Sequence, residues 1–391
     1  MKKCVLIAVT SSIAAYKSVQ LVSDLIKKGY DVEVMMSKNA TQFIQPLTFS
    51  SLTKHKTYVD TFDRVTHYEV EHISLAKKAD VVLIAPASAN VIAKVAHGIC
   101  DDMLTTTFLA SNAPKIIAPA MNTQMYENPI TQDNLKRCQK YGMKIVEPES
   151  GRLACNDIGK GKLASIDLLI EAIEEAIVTK KTLQGKKVLI TAGPTREAID
   201  PVRYITNYSS GKMGYALAKA ARNRGAEVTL VSGPTTLPIP NGIHFHSITT
   251  TKQMLEVCAA CFETMDFIIC SAAPADYAAQ QSPQKIKKQG DTLTLTLYKN
   301  PDVLAYMGAH KTHQKICGFA AESENALANA KAKRIQKNCD MIVVNNITEK
   351  GAGFQGDTNI VTIIDADNET NYPMMKKDEL AEIILEQLAK Q

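Results

Sequence analysis

Short runs that are apolar on both faces recur along the first half of the chain: Cys4–Val9, Val32–Met36, Asp80–Ala85, Lys115–Ala118 and Lys144–Val146. Such strands must be covered on both sides. That requirement points to a parallel sheet flanked by helices. Helical patterns fill the gaps, as in AYKSVQLVSDLIKKG, which ends at Gly29, a favoured residue after a helix C-terminus. A second series begins at Lys187–Thr191, with a helix over 211–223 and a strand over Glu227–Val231. Further strands are expected at Asp266–Cys270, Lys315–Gly318, Met341–Val344 and Ile360–Ile364. DTLTLTLYKN alternates polar and apolar residues, so Leu293–Leu297 is expected as a half-exposed antiparallel strand, which makes the second sheet mixed. The expected class is α/β with two Rossmann-like domains. A closing helix over Asp167–Thr179 and the polar stretch KKTLQGKK set the boundaries: a domain over 1–179, a linker over 180–186 and a domain over 187–391. The tail KKDELAEIILEQLAKQ reads as an amphipathic helix.

The net charge of +5 is spread along the chain rather than gathered on one stretch, which argues against nucleic acid as a partner. The nine cysteines are odd in number and irregularly spaced, as in a protein of a reducing cytoplasm. Cys258 and Cys261 form a C-x-x-C, but on an amphipathic helix with no second pair at zinc spacing. The N-terminal MKKCVLIAV is cut short by Thr10-Ser11-Ser12 and reads as a first strand, not a secretory signal. No run approaches the ~18 apolar residues of a membrane span.

The polar and small residues gather after the strands. TSSIAAYK, MSKNA, APASAN, APAMNTQMY and EPESGRLACNDIGKGKL follow the first series; TAGPTRE, VSGPT, SAAPADY, GFAAES and VNNI follow the second. Ligands of open α/β sheets bind beyond the carboxyl ends of the strands, and loops of this composition offer backbone N–H groups to phosphate. YITNYSSGKMG is close to a Walker loop but lacks two of its parts: Thr206 stands at the place of the first Gly and Met213 at that of the hydroxyl residue. On residues alone, His72 reads as a surface histidine, Arg203 as a surface charge, Cys155 as a small buried cysteine and KIKK as a charged run.

Taken in order, HISLAKKADVVLIAPASAN, PAMNTQMY and GRLACNDIGKGKL, then ITAGPTREAIDPVRYITNYSSGKMG, APADY, KIKK, KNPD and GFAAE, cover nearly the whole chain. Their ensemble resembles the bacterial bifunctional coenzyme A biosynthesis proteins. These join a phosphopantothenoylcysteine decarboxylase, of flavodoxin-like fold, to a phosphopantothenate–cysteine ligase. The resemblance implies FMN held by Ser11, Ser12, Ile13, Ser37, Ser88 and Asn90, with Asp102, Met103 and Thr105 nearby. Ser11 stands where the family has Gly, and it adds a hydroxyl but does not take positive φ as cheaply. The resemblance gives His72 an active-site role, Asn122 the substrate carboxylate, and Cys155 the proton of the reductive step, on a flap bounded by Gly151, Gly159 and Gly161. In the second domain it implies CTP and Mg2+, with an acyl-cytidylate that cysteine displaces. Asn207 would serve turnover of that intermediate and Arg203 the cysteine-dependent step. Ser209, Ser210, Gly211, Asp276, Lys285, Asn300, Pro301, Asp302, Val303, Phe319, Lys333 and Lys337 would meet the nucleotide, with Asp276 at the metal. The implied assembly is a dodecamer, flavin-domain trimers joined by ligase dimers. Rival readings are another cysteine-decarboxylating or prenyl-transferring flavoprotein, and a non-catalytic regulatory protein on the same fold.

Overall fold

The computed structural model describes residues 2–62, 70–152, 158–178, 181–288, 291–349, 353 and 355–391. The chain divides into two compact units, Met1–Thr179 and Lys180–Gln391.

In the first unit the strands are β1 (Cys4–Val9), β2 (Asp31–Met36), β3 (Thr57–Tyr58), β4 (Val81–Ala87), β5 (Lys115–Pro119) and β6 (Lys144–Ile145), followed by a hairpin of β7 (Glu149–Arg152) and β8 (Ile158–Lys162). The helices are α1 (Ala15–Lys27), α2 (Pro46–Thr53), α3 (Glu71–Lys78), α4 (Ala89–His97), α5 (Met103–Ala110), α6 (Thr123–Glu127), α7 (Pro129–Lys140) and α8 (Ile166–Ile177). The main sheet runs β3-β2-β1-β4-β5-β6, and every pairing in it is parallel. Without the two-residue β3 this is the flavodoxin order. The expectation of strands buried on both faces holds residue by residue. Val5, Ile7 and Val9 enter one apolar core, while Leu6 and Ala8 enter the other. Strand order reverses between β1 and β4, which places the loops at Ser11 and Ser88 side by side.

The second unit has β9 (Lys187–Ala192), β10 (Arg196–Ala198), β11 (Tyr204–Thr206), β12 (Glu227–Ser232), β13 (His244–Ser247), β14 (Phe267–Cys270), β15 (Tyr277–Ala279), β16 (Leu297–Lys299), β17 (Lys315–Glu322), β18 (Met341–Asn346), β19 (Thr358–Ile364) and β20 (Glu369–Lys376). Its helices are α9 (Lys212–Asn223), α10 (Thr251–Cys261), α11 (Val303–His310), α12 (Ala326–Gln336) and α13 (Lys377–Leu388). The sheet runs β13-β12-β9-β14-β17-β18-β19-β20; it is parallel up to β18 and antiparallel beyond, hence mixed. Here the order reverses between β9 and β14. Helix α9 lies very close to β9, because a Cβ on Gly214 would come within 2.5 Å of the Ala192 Cβ. The stretch 181–186 is exposed except at Leu183, which is buried in the second core and whose N–H donates to the Arg224 carbonyl at 3.0 Å.

One expected strand differs. Of Leu293–Leu297 only Leu297 is in a strand, in β16, which among the described residues pairs with the three residues of β15 alone. The alternation of 293–297 has no neighbouring strand to match it, so the pattern alone does not make a ladder.

Candidate functional site

The reversal point of the second sheet opens into a cavity of about 410 Å³. Thr191 lies on its wall at the end of β9, Cys270 and Ser271 at the end of β14, and the loop Asn207–Gly211 leads into α9. Gly211 caps that helix with φ of +79°, a left-handed conformation in which a Cβ would also meet Thr235 at 2.8 Å. Ser209 Oγ accepts the Gly211 N–H at 3.4 Å. This is a helix N-terminus presented to a cavity without the wrapped turn of a Walker loop. The positive end of the helix dipole favours an anion there. Asn207 donates from Nδ2 to the carbonyls of Ala273 and Pro274, each at 3.1 Å, which fixes its amide against the opposite wall. Ser271 Oγ is buried and has no hydrogen-bond partner among the described residues.

Ser209, Ser210, Gly211, Asn207, Asp276, Asn300, Pro301, Asp302, Val303, Phe319 and Lys333 all line this cavity. Asn300 is pinned twice, by its N–H to the Asp276 carbonyl and by Nδ2 to the Ala275 carbonyl, both at 2.8 Å. Asp302 caps α11 by accepting the Ala305 N–H at 2.8 Å. Burial opposes its ionisation, but the Lys337 ammonium at 2.7 Å and the cap hold its carboxyl below the usual range. Lys337 thus stands behind Asp302 rather than on the wall. Lys333 donates to the Phe319 carbonyl at 2.9 Å. Arg203 and Lys285 are not lining residues: Lys285 is exposed, and the Arg203 guanidinium is bound to Asp200 at 2.6 Å.

Three lysines on the wall escaped sequence reasoning: Lys212, Lys299 and Lys377. Lys377 opens α13 and is buried, donating from Nζ to the carbonyls of Gly353 at 3.1 Å and Gly356 at 2.7 Å. It shares the buried stripe of Leu380, Ala381, Ile384 and Leu388, and that spacing was the available signal. Burial, aided by the charge of Lys212, pushes its pKa down to about 8. Between about pH 8 and 10.5 the unfolded chain therefore holds a proton that the folded chain does not, so stability rises with pH across this window. Urea unfolding through that range should show the rise in the wild type and its loss in Lys377→Met.

Of the predicted flavin residues in the first unit, Ser11 and Ser12 follow β1, Ser37 follows β2 and Ser88 follows β4, all at the carboxyl ends of adjacent parallel strands, whereas Asp102, Met103 and Thr105 lie at the start of α5. Thr10 Oγ1 donates to the Pro86 carbonyl at 2.7 Å and accepts the Ser88 N–H at 2.8 Å, clamping the loop after β1 to the loop after β4. Ser11 and Ser12 are half-buried beside this clamp, and Ile13 is exposed. Ser37 follows β2, its N–H held by the Val9 carbonyl at 3.0 Å and its buried Oγ without a partner among the described residues. Ser88 caps α4 and Asn90 is exposed on its first turn. Asp102 caps α5: it accepts Thr105 N–H at 2.8 Å and Oγ1 at 2.7 Å and lies 3.2 Å from Lys94. Met103 and Thr105 are buried, so their first role is packing. His72 is half-buried in the first turn of α3. Asn122 follows β5 and caps α6, with Oδ1 accepting the Gln124 N–H at 2.8 Å. Cys155 lies outside the described residues. The β7–β8 hairpin docks on the Asn122 loop, since the Met121 N–H donates to the Gly161 carbonyl at 3.0 Å.

Among the described residues, Asp31, Glu33 and His55 bring ligating atoms within 4.8 Å of one another. Lys78 already lies 2.9 Å from Asp31 and 2.5 Å from Glu33, so this cluster carries its own cation. Among the described residues no helix is long and apolar enough to cross a membrane.

A flavodoxin-like sheet with polar loops at its reversal point, followed by a mixed sheet with a cation-lined cavity at its own, defines a two-unit α/β protein of the kind that binds ligands at strand carboxyl ends. Residues 1–178 match the family model described as Flavoprotein, and residues 183–391 match the DNA/pantothenate metabolism flavoprotein C-terminal domain. The coenzyme A biosynthesis bifunctional protein CoaBC of Bacillus subtilis is 44% identical over 390 residues, covering 98% of this chain and 96% of its own. That of Escherichia coli K12 is 40% identical over 391 residues, covering 99% and 96%. A crystal structure of the C-terminal domain of a CoaBC protein is 40% identical, covers 54% of this chain and 97% of its own, and has a TM-score of 0.47. The chain belongs to the family of coenzyme A biosynthesis bifunctional proteins.

Proposed function

We propose that the chain carries out two successive reactions of coenzyme A biosynthesis. The second unit joins cysteine to 4'-phosphopantothenate at the expense of CTP through an acyl-cytidylate. The first unit then decarboxylates the cysteinyl adduct to 4'-phosphopantetheine with FMN.

The observation that carries the ligase reading is the cavity at the β9–β14 reversal, where an α9 N-terminus, four lysines and Asp276 converge. Bringing a carboxylate against a triphosphate sets anion against anion, so fixed cations and N–H donors are what the reaction requires. Ser209, Ser210 and Gly211 receive phosphate. Asp276 holds Mg2+, Asn300–Val303, Phe319 and Lys333 the nucleotide, and Asn207, with both amide hydrogens held by the Ala273 and Pro274 carbonyls, keeps the loop in place beside the reacting carbonyl. The buried, partnerless Ser271 hydroxyl is one further donor.

For the first unit, the buried Ser37 hydroxyl without a partner and the Thr10–Ser88 clamp fit a phosphate-bearing cofactor at the β1–β4 reversal. Bound FMN supplies the electron acceptor and donor that loss of a cysteinyl carboxylate needs. Asn122 orients that carboxylate, His72 manages a proton at the substrate thiol, and Cys155 returns one at the end. A reducing cytoplasm and a homo-oligomer of flavin-domain trimers and ligase dimers complete the proposal.

The test is twofold. Purified protein should be yellow, and phosphopantothenate with CTP and Mg2+ should release pyrophosphate before cysteine is added. Colourless protein refutes the first assignment; pyrophosphate that appears only with cysteine refutes the second.

A further inference from the structure

The turn that carries Arg203 is tied down by a buried carboxylate. Asp200, only 2% exposed, sits between β10 and β11. Its Oδ1 accepts the backbone N–H groups of Val202 and Arg203, each at 2.8 Å. Its Oδ2 accepts Arg203 Nε at 3.0 Å, Arg203 Nη2 at 2.6 Å and the Ile286 N–H at 3.1 Å. Arg203 Nη2 also donates to the Ile286 carbonyl at 2.7 Å, and the Ser282 N–H donates to the Ile199 carbonyl at 2.9 Å.

Ile286 is the second residue of KIKK, and Lys285, Lys287 and Lys288 around it are exposed. This strap leaves the cavity from Asp276 through β15 and returns through β16 to Lys299, which is again on the wall. Closing the turn requires only the two N–H groups held by Oδ1, a task for any Asx side chain. The second oxygen and the charge serve Arg203 and Ile286. A buried carboxylate is tolerated only when so paired, and the Arg203 guanidinium, outweighing burial, holds Asp200 well below the usual carboxylate range.

We infer that Asp200 is a positioning residue for the nucleotide-dependent reaction: through Arg203 and the Ile286 backbone it fixes the Lys285–Lys288 strap so that its cations meet an anionic substrate in one place. The inference rests on the reading of the second unit as a CTP-dependent ligase.

Asp200→Asn keeps the shape and removes the charge. In the full-length enzyme it is expected to raise KM for CTP about tenfold or more, with kcat per active site changed less. Trypsin should cut after Lys285, Lys287 and Lys288 several-fold faster than in the wild type, by about the factor the strap's opening equilibrium gains. Arg203→Lys, which loses the two-pronged contact, should move both readouts the same way, and the double variant should be no worse than the single. A role confined to folding would lower the melting temperature and the number of active sites, leaving KM and strap cleavage where they were. Should Asp200→Asn fail to fold, Arg203→Lys and Arg203→Gln carry the test alone. Wild-type KM and wild-type cleavage in the variants overturn the positioning role. Absence of CTP-dependent pyrophosphate release in the wild type itself overturns the ligase reading and the role with it.

Discussion

Asn207→Asp is expected to lower ligase turnover by about two to three orders of magnitude while an acyl-cytidylate builds up. The amide of Asn207 donates to two carbonyls, Ala273 and Pro274. A carboxylate has no hydrogen to donate and turns like partial charges against each other at both contacts. It also adds a negative charge to a cavity that must admit a triphosphate and a carboxylate together. The second half-reaction suffers most, because the added carboxylate opposes the negative charge that develops on the carbonyl oxygen as cysteine attacks. Rapid quenching and mass analysis should find the adduct at near one per active site in the variant and not in the wild type. Normal turnover without accumulation removes Asn207 from the reaction.

The second large effect concerns the first unit. Gly161 has φ of +150°, and a Cβ there would lie 2.3 Å from the Met121 carbonyl oxygen. A Cβ on Gly159 would likewise meet Thr123 Oγ1 at 2.5 Å. Both contacts seat β8 on the loop that carries Asn122. Gly161→Ala cannot keep that seat, so the hairpin must shift by more than an ångström or so, an error of the size that costs on the order of 100-fold in a positioned reaction. Decarboxylation should fall by that factor while cysteine ligation proceeds, so the carboxylated adduct accumulates. Equal loss of both activities would mean a general folding defect; unchanged decarboxylation would mean the hairpin base is irrelevant to the substrate.

Much of this architecture is legible in the sequence because parallel strands advertise themselves. Cys4–Val9 is apolar throughout, and it is a strand with those bounds. The cavity loop was legible for a related reason: Gly-Lys before an alanine-rich helix marks a helix N-terminus whatever the loop ahead of it does. What was hidden depends on partners distant in sequence. The hairpin β10–β11 consists of three-residue strands set by each other and by Asp200, with no periodic signal of their own. Lys377 lies at the start of the amphipathic tail helix, and only the packing of α13 shows that it turns inward. The alternation in DTLTLTLYKN promised a ladder that the short β15 does not supply. The contact between Arg203 and Asp200 was hidden too, because nothing in the sequence shows that this carboxylate is buried against the guanidinium.

One chain is expected to perform both reactions in sequence. Phosphopantothenate, cysteine, CTP and Mg2+ supplied to the flavin-loaded protein, with the product followed by mass, test it directly. Conversion to phosphopantetheine, with CMP and pyrophosphate released in equal amounts and one CO2 lost per turnover, is the predicted result. Recovery of unchanged phosphopantothenate, or a product that retains the cysteinyl carboxylate at completion, would contradict it.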